Sequence, residues 1–228
     1  MSNANSIDIA TVMSSAVHDM KNSLSIILNN LNFLDSEAGL SEQGHHALKQ
    51  LQDEGLRLNY SFVQLLTLYR LENKQYFLNI DSHNVFDCLE EVVLENESSL
   101  SQHKLSAEFT CDEALEWFFD KALLSGILNT ILNNACRYAN NKILLSANID
   151  ESQLVVSISD DGPGYPEKML AADTPTQRAI DFQSGNTGLG LHFANVVAQL
   201  HQNNQQQGYI QVSNQGIDGG GKFSIYLP

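Results

Sequence analysis

The chain has 228 residues, of which 43% are hydrophobic and 17% charged, a balance typical of a globular protein with one large or two modest domains. Its 27 acidic and 12 basic residues give a formal net charge of -15, which argues against nucleic acid or an anionic membrane as a partner. No apolar run approaches the ~18 residues needed to span a bilayer, and the polar start is unlike a signal peptide, so we predict a cytoplasmic protein without membrane insertion. The spacing of the cysteines and histidines predicts neither a disulfide framework nor a bound transition metal.

Two helices with heptad-like apolar spacing are predicted at the N-terminus, joined by a glycine-containing turn over 35–42. Two helices with single apolar seams cannot enclose a core alone, whereas two copies of this antiparallel hairpin form a four-helix bundle, so we predict a homodimer. The predicted seams are Val17, Met20, Leu24, Ile27, Leu31 and Leu34 in the first helix, and Leu48, Leu51, Gly55, Leu58, Phe62, Leu65 and Tyr69 in the second.

After about residue 76, helical and strand periods alternate, which predicts a two-layer α/β sandwich with a mixed sheet. Residues 202–207 are predicted to form a polar loop. Helices are predicted over 84–100, 121–139 and 188–200, and strands over 143–149, 154–159, 209–213 and 222–227.

The first helix carries a histidine with polar neighbours. Asp19 follows His18 directly, and Asn22 lies four residues after it on the same helical face. A neutral imidazole can act as a nucleophile, while an adjacent carboxylate accepts a proton or fixes the tautomer. Taken alone, a solvated histidine beside an apolar seam is the better interpretation.

The helix predicted over 121–139 ends in a polar and aromatic cluster formed by Asn134, Arg137 and Tyr138. An amide oxygen suits Mg²⁺ already held by phosphate oxygens, the guanidinium can pair with phosphate, and the tyrosine can pack on a purine. An ordinary polar helix end is the alternative for this block alone.

The strand predicted over 154–159 runs into an acidic, glycine-rich turn at 160–164. The Asp160 carboxylate can accept a hydrogen bond from an adenine amino group, and Gly162 and Gly164 let the backbone approach the ring. A tight surface turn is the alternative.

A second glycine-rich block opens the helix predicted over 188–200 and includes Thr187, Gly188, Leu189 and Gly190. Such an entry leaves the first helical amides available for phosphate at the positive end of the helix dipole. The polar segment 165–186 before it is predicted to be a lid over the phosphates.

Taken in order, these blocks resemble the transmitter core of a two-component histidine kinase. Residues 18–22 resemble the family's H-box, 134–138 its N-box, 160–164 and 188–191 its two glycine boxes, and 219–228 its closing glycine turn and last strand. The resemblance implies an α+β chain: a dimerisation and phosphoacceptor hairpin at 1–76, followed by a Bergerat- or GHKL-type ATP-binding domain at 77–228.

The resemblance also implies roles for the residues of each block. His18 is phosphorylated from Mg-ATP with the help of Asp19 and passes the phosphoryl group to an aspartate of a response regulator. Asn22 orients water for a phosphatase reaction, with an ordinary surface polar residue as the alternative. Asn134 is the implied Mg²⁺ ligand. The implied ATP contacts are Asn134, Arg137, Tyr138, Asp160, Gly162, Gly164, Thr187, Gly188, Leu189 and Gly190.

The chain departs from the family pattern in several places. Ser23 stands where many H-boxes have proline, and Thr130 stands where the N-box usually begins with asparagine, with Asn129 one residue early. No clear phenylalanine-centred box precedes the second glycine block, where Phe182 is the candidate remnant, and Asn186 replaces a frequent glycine. We nevertheless expect a working kinase.

The chain shows no sensor module, so we expect a separate sensor protein to act in trans; a truncated longer kinase is the competing explanation. A gyrase-like or chaperone-like ATPase needs an acidic residue where Thr130 stands, which disfavours that class. A degenerate phosphotransfer or scaffold protein that no longer turns over ATP remains the alternative.

Overall fold

The computed structural model describes residues 9–36, 39–170 and 188–228, and within the first helix the side chains at 9–16, 18, 32, 35 and 36 lie outside the description. The chain divides into two compact units, Met1–Tyr76 and Phe77–Pro228. None of the described helices is both long and apolar enough to cross a bilayer.

The first unit is a helical hairpin of α1 (Ile9–Ser36) and α2 (Glu42–Glu72). The Ser41 hydroxyl caps α2 by accepting the Gly44 N–H over 3.2 Å, because the first amides of a helix have no partner within it. Gly55 lets the helices approach closely, since a Cβ at this position would come within 2.6 Å of Leu28 Cδ2.

Each predicted seam divides into two heptad rows with different surroundings. Val17, Leu24 and Leu48 are buried within the hairpin, as is Gly55. The other row stays exposed in the single chain, at 53% for Ile27 and 45% for Leu58. Its members are Met20, Ile27 and Leu34 on α1 and Leu51, Leu58 and Leu65 on α2.

The second unit combines helices with a five-stranded mixed sheet, which confirms the predicted fold class. The sheet contains β2 (Ser106–Thr110), β4 (Lys142–Asp150), β5 (Gln153–Asp160), β8 (Tyr209–Ser213) and β9 (Lys222–Leu227). Their order is β2-β4-β5-β9-β8, in which only β2 and β4 run parallel. A separate two-stranded ribbon pairs β1 (Asp81–Asn84) with β3 (Glu116–Phe119).

The helices of the second unit are α3 (Val85–Glu95), α4 (Glu97–Gln102), α5 (Lys121–Tyr138), α6 (Glu167–Leu170) and α7 (Leu189–Leu200), and a short 3₁₀ turn spans Ile217–Gly219. Apolar side chains of α3, α5, α7 and the sheet form the core. Its fully buried residues include Leu89, Leu124, Ile127, Leu128, Leu132, Ile143, Leu145, Ile158, Phe223 and Ile225.

Two sequence-based predictions of local structure are wrong. The helix predicted over 84–100 is interrupted at Asn96, whose side-chain amide donates to the Val92 carbonyl and to Asn129 Oδ1. Residues 202–207 form a tight hairpin, β6 (Gln202–Asn203) with β7 (Gln206–Gln207), and not an irregular loop. The turn residues Asn204 and Gln205 both have positive φ, the conformation that a two-residue hairpin turn requires.

Candidate functional site

Three residues of the predicted nucleotide site lie on the last turns of α5. The Asp120 carboxylate begins this helix by accepting the Leu123 N–H over 3.0 Å, and the helix ends at Tyr138. The side chains of Asn134, Arg137 and Tyr138 are all exposed, while the opposite face of α5 is buried in the core. The chemistry-bearing groups of α5 therefore face outward at its C-terminal end.

The acidic turn lies directly against this end of α5. A Cβ built on Gly162 would clash with the Tyr138 carbonyl, whose carbon would be only 2.9 Å away. The Asn140 side chain also donates to the Asp161 carbonyl. Only glycine fits at position 162, so the close approach of the first glycine box to the N-box depends on this residue.

The two aspartates of the turn do different work. The Asp161 carboxylate accepts the backbone N–H groups of Asn140, Asn141 and Lys142 over 2.8–3.1 Å and so fixes the start of β4. Desolvation opposes ionisation, but these backbone hydrogen bonds outweigh it and hold the pKa of Asp161 below its usual value. Asp161 is therefore a structural residue.

Asp160 is held by the two glycine turns that flank it. Its Oδ1 accepts the Gly162 N–H over 2.8 Å and the Gly221 N–H over 3.3 Å. Its Oδ2 lies beside Gly221, where a Cβ would come within 2.8 Å of it. The carboxylate is thus oriented by backbone donors, and the absence of a side chain at 221 leaves room beside it.

Tyr165 and Asn214 lie beside the Asp160 carboxylate and its glycine turns, and neither residue belongs to the predicted site. The Asn214 side chain accepts the Tyr165 N–H over 2.6 Å and donates to the Tyr165 carbonyl over 3.1 Å. It also lies against Gly164, whose φ of +77° is left-handed. Burial, reinforced by the nearby Asp160 charge, raises the pKa of Tyr165 strongly, so its hydroxyl stays neutral. In the sequence, the position of Asn214 just after a predicted strand is the only signal for this pair of hydrogen bonds between Asn214 and Tyr165.

The second glycine block forms the N-terminus of α7. Gly188 precedes the helix in the left-handed conformation with φ of +60°, and Leu189 is its first residue. A Cβ on Gly190 would lie 2.9 Å from Thr130 Cγ2 and 3.9 Å from Asn134 Nδ2. The structure therefore brings the first turn of α7 onto the N-box helix. Thr187, Phe182, Asn186 and the predicted lid from residue 171 onward lie outside the described residues.

The N-box helix carries a buried amide network on its other side. Asn96 donates to Asn129 Oδ1 and accepts from Asn133 Nδ2 over 2.7 Å, while Asn129 donates to Glu95 over 2.8 Å. Asn129 therefore faces α3 and α4, away from α7. The sequence alone did not reveal this network, because it joins residues 95 and 96 to residues 129 and 133, which lie 33 or more positions later.

The predicted phosphoacceptor lies in the other unit. His18 belongs to α1, but its side chain is outside the described residues. Asp19 and Asn22 are exposed on the same helix, as is Ser23, and α1 continues without interruption through Ser23.

The second unit fits an adenine nucleotide in its donor and acceptor chemistry. An oriented carboxylate and side-chain-free walls at Gly162 and Gly221 lie together at the C-terminal end of α5. The helical amides beginning at Leu189 lie against an earlier part of the same helix, at Thr130 and Asn134. Asn134 supplies an exposed amide beside that helix start, as a Mg²⁺ ligand should.

Comparison with known proteins gives a consistent result. Residues 119–228 match the family model for histidine kinase-, DNA gyrase B-, and HSP90-like ATPases. The sensor histidine kinase CpxA of Escherichia coli K12 is 26% identical over 226 residues, covering 95% of this chain and 46% of CpxA. The sensor histidine kinase CssS of Bacillus subtilis is 25% identical over 195 residues, covering 84% of this chain and 42% of CssS. The chain thus spans less than half the length of these relatives.

Solved structures share the fold. Acinetobacter baumannii histidine kinase AdeS aligns with a TM-score of 0.57 at 23% identity, covering 92% of this chain and 96% of that chain. Full-length ShkA in complex with AMPPNP aligns with a TM-score of 0.65 at 19% identity, covering 96% of this chain and 45% of that chain. The chain is homologous to sensor histidine kinases, and its residues 119–228 match the model of the histidine kinase-, DNA gyrase B-, and HSP90-like ATPase family.

Proposed function

We propose that this chain is a protein-histidine kinase core that binds Mg-ATP in its second unit and phosphorylates His18 in its first. The observation that carries the proposal is that α5 has the Asp160, Gly162 and Gly221 cluster at its C-terminal end and the first turn of α7 against its Thr130 and Asn134. Homology to sensor histidine kinases along almost the whole chain supports the same function.

Asp160 is the proposed adenine anchor. Its Oδ1 is occupied by two backbone donors, and its Oδ2 lies where Gly221 leaves space, so the carboxylate is oriented before a ligand arrives. An exocyclic amino group can donate to such a carboxylate. Tyr138, 46% exposed at the end of α5, supplies an aromatic face for the purine.

The phosphates are assigned to the amides that open α7, together with Arg137 and the segment containing Thr187. The first N–H groups of a helix have no carbonyl partner within it, and these groups together with the helix dipole favour an anion at this end. Asn134 would hold Mg²⁺, which neutralises charge on the phosphate oxygens when bound. The protein contributes alignment of the γ-phosphoryl group and stabilisation of its charge.

His18 is the proposed nucleophile. One neutral ring nitrogen attacks the γ-phosphorus, the bond from that phosphorus to the ADP oxygen breaks, and a new N–P bond forms. Asp19, exposed beside it on α1, accepts the proton of the other ring nitrogen or fixes its tautomer. Phosphohistidine then donates to an aspartate of a response regulator receiver.

The exposed heptad row supports a homodimer. Met20, Ile27 and Leu34 leave α1 with an apolar stripe at seven-residue spacing, and Leu51, Leu58 and Leu65 do the same for α2. Burying both stripes against a second copy completes a four-helix bundle. A separate sensor protein in trans is part of the same proposal.

Asn22 supports a second, phosphatase activity of the same surface. Its exposed amide lies one helical turn after His18 and can orient water for hydrolysis of an acyl phosphate on the receiver. Equal rates of receiver dephosphorylation by wild type and Asn22→Ala would remove this activity from the proposal.

Labelling with γ-³²P-ATP and Mg²⁺ tests the kinase activity. We expect an acid-labile, base-stable phosphate, because phosphohistidine is a phosphoramidate and has this stability. His18→Gln should abolish the labelling. His46→Gln, an exposed histidine of α2, is the matched control and should label normally. A folded chain that binds ATP but never labels would indicate the degenerate phosphotransfer alternative.

A further inference from the structure

We propose that Thr130 is a positioning residue, which seats the first turn of α7 through its methyl group and takes no part in holding Mg²⁺. The inference deepens the proposed function and rests on it, since the amides of this turn are the assigned phosphate ligands. It concerns the position at which the chain departs from the N-box pattern.

The methyl group of Thr130 lies against the second glycine block. For a Cβ added to Gly190, Thr130 Cγ2 is the nearest heavy atom, at 2.9 Å, and the next is Asn134 Nδ2 at 3.9 Å. The missing side chain at 190 and the methyl at 130 are therefore complementary in size. Because interiors are close-packed, this contact fixes how near the start of α7 comes to α5.

The hydroxyl of Thr130 is directed elsewhere. Its Oγ1 donates to the Gly126 carbonyl one turn earlier over 2.9 Å, a bond that selects one rotamer of the β-branched side chain. Thr130 is 9% exposed, whereas the Asn134 side chain is exposed. The same bond that turns the oxygen back along α5 directs Cγ2 toward Gly190.

This arrangement divides two tasks between two residues of α5. Asn134 carries the exposed amide proposed as the Mg²⁺ ligand, and Thr130 supplies the apolar contact that supports the glycine turn. Because the amides of a helix start bind phosphate only if they converge on it, a displaced first turn weakens binding even though no ligand is removed.

The test compares three substitutions by ATP titration with and without Mg²⁺, and by amide hydrogen exchange without nucleotide. Thr130→Val keeps both branches and loses the hydroxyl, Thr130→Ser keeps the hydroxyl and loses the methyl, and Gly190→Ala adds the clashing Cβ. Thr67→Ser is the matched control, since Thr67 makes the same bond to Val63 on α2 over 2.8 Å.

For Thr130→Ser we expect ATP affinity to fall about threefold to tenfold, the cost of one lost buried methyl, with the ratio of affinities with and without Mg²⁺ unchanged. Exchange at Leu189–Phe193 should accelerate in the same variant. Thr130→Val should keep the ATP affinity and the exchange rate at their wild-type values, and Thr67→Ser should change neither.

Gly190→Ala should lose roughly tenfold or more in affinity, and adding Thr130→Ser should restore most of that loss because it removes the clash. Loss of the Mg²⁺ dependence in Thr130→Val would overturn the inference, since the hydroxyl would then belong to the metal site. Equal weakness of Gly190→Ala and the double variant would overturn it as well.

The exchange measurement separates this inference from the proposed function. If the wild-type chain binds no ATP but hydrogen exchange is faster in Thr130→Ser than in wild type, ATP binding is refuted and the contact between Thr130 and Gly190 is upheld. Unchanged exchange in a chain that binds ATP would refute the contact alone.

Discussion

Gly221 lies directly against the Asp160 carboxylate: its N–H donates to Oδ1 over 3.3 Å, and a Cβ would stand 2.8 Å from Oδ2 and 3.2 Å from Tyr165 Cε2. The last glycine of the closing turn is thus part of the wall around the proposed adenine anchor. The strand pairing of β5 with β9 places these two distant segments side by side.

Gly221→Ala should therefore weaken ATP binding by roughly tenfold or more, because the added methyl pushes on Oδ2 or fills the space for the base. Calorimetric titration with Mg-ATP measures the change. Gly126→Ala is the control: its Cβ would meet nothing nearer than Phe193 Cε1 at 4.0 Å. It should leave affinity unchanged and raise stability by about 0.5–1 kcal/mol, since alanine is the better helix former. Unchanged ATP affinity in Gly221→Ala would contradict the assigned wall.

A charge in the exposed heptad row should break the homodimer. Leu58→Glu places an unpaired carboxylate in the predicted interface, where desolvation makes it costly. Analytical ultracentrifugation at micromolar concentration should then show monomers in place of dimers. Asn29→Glu, exposed on α1 outside both rows, should remain dimeric. Dimers that survive Leu58→Glu would show that another surface associates.

His201 should make stability fall as the pH is lowered below 6.5. Its Nε2 accepts the Asp120 N–H over 3.0 Å and its other ring nitrogen bonds the Val197 carbonyl over 2.8 Å, which requires the neutral ring. Burial lowers the pKa of His201 from 6.5, outweighing the raising effects of Val197 and Asp120. As the pH falls, His201 therefore binds a proton in the unfolded chain before it does so in the folded chain. Its contribution to stability is fully present above pH 6.5 and is lost as the pH falls toward the pKa of the folded state.

Urea unfolding across this range should show a slope of up to about 1.4 kcal/mol per pH unit from this group. The stability advantage of wild type over His201→Gln should shrink as the pH falls, whereas the exposed His46→Gln should keep the wild-type slope. A constant difference between wild type and His201→Gln would mean that His201 does not titrate in this window.

Asn96→Ala should destabilise the second unit by about 1–3 kcal/mol, because Asn129 and Asn133 lose a buried partner. Chemical denaturation followed by the fluorescence of Trp117 measures it. Asn148→Ala, at an exposed position of β4, should cost much less. Equal losses would show that the amide network contributes nothing beyond an ordinary surface contact.

The sequence alone determined the helical hairpin, the order of the glycine-rich blocks and the resemblance to histidine kinases. These are local signals, because each pattern involves residues that are close together in the chain. They are the heptad spacing in α1 and α2 and the glycine turns at 160–164 and 188–191. Local patterns also predicted the strands that position Asp160. They could not distinguish the buried heptad row from the exposed one, because both rows have the same residue types and spacing.

Only the tertiary structure decided which groups touch. The roles of Asn214 beside Tyr165, Gly221 beside Asp160, and Thr130 beside Gly190 all depend on pairs separated by 49, 61 and 60 positions. Spacing along the chain carries no information about such pairs, because sheet register and helix packing bring them together. The division of labour between Asp160 and Asp161 has the same origin, since Asp160 ends β5 and Asp161 lies in the turn that follows, so the two carboxylates meet different partners.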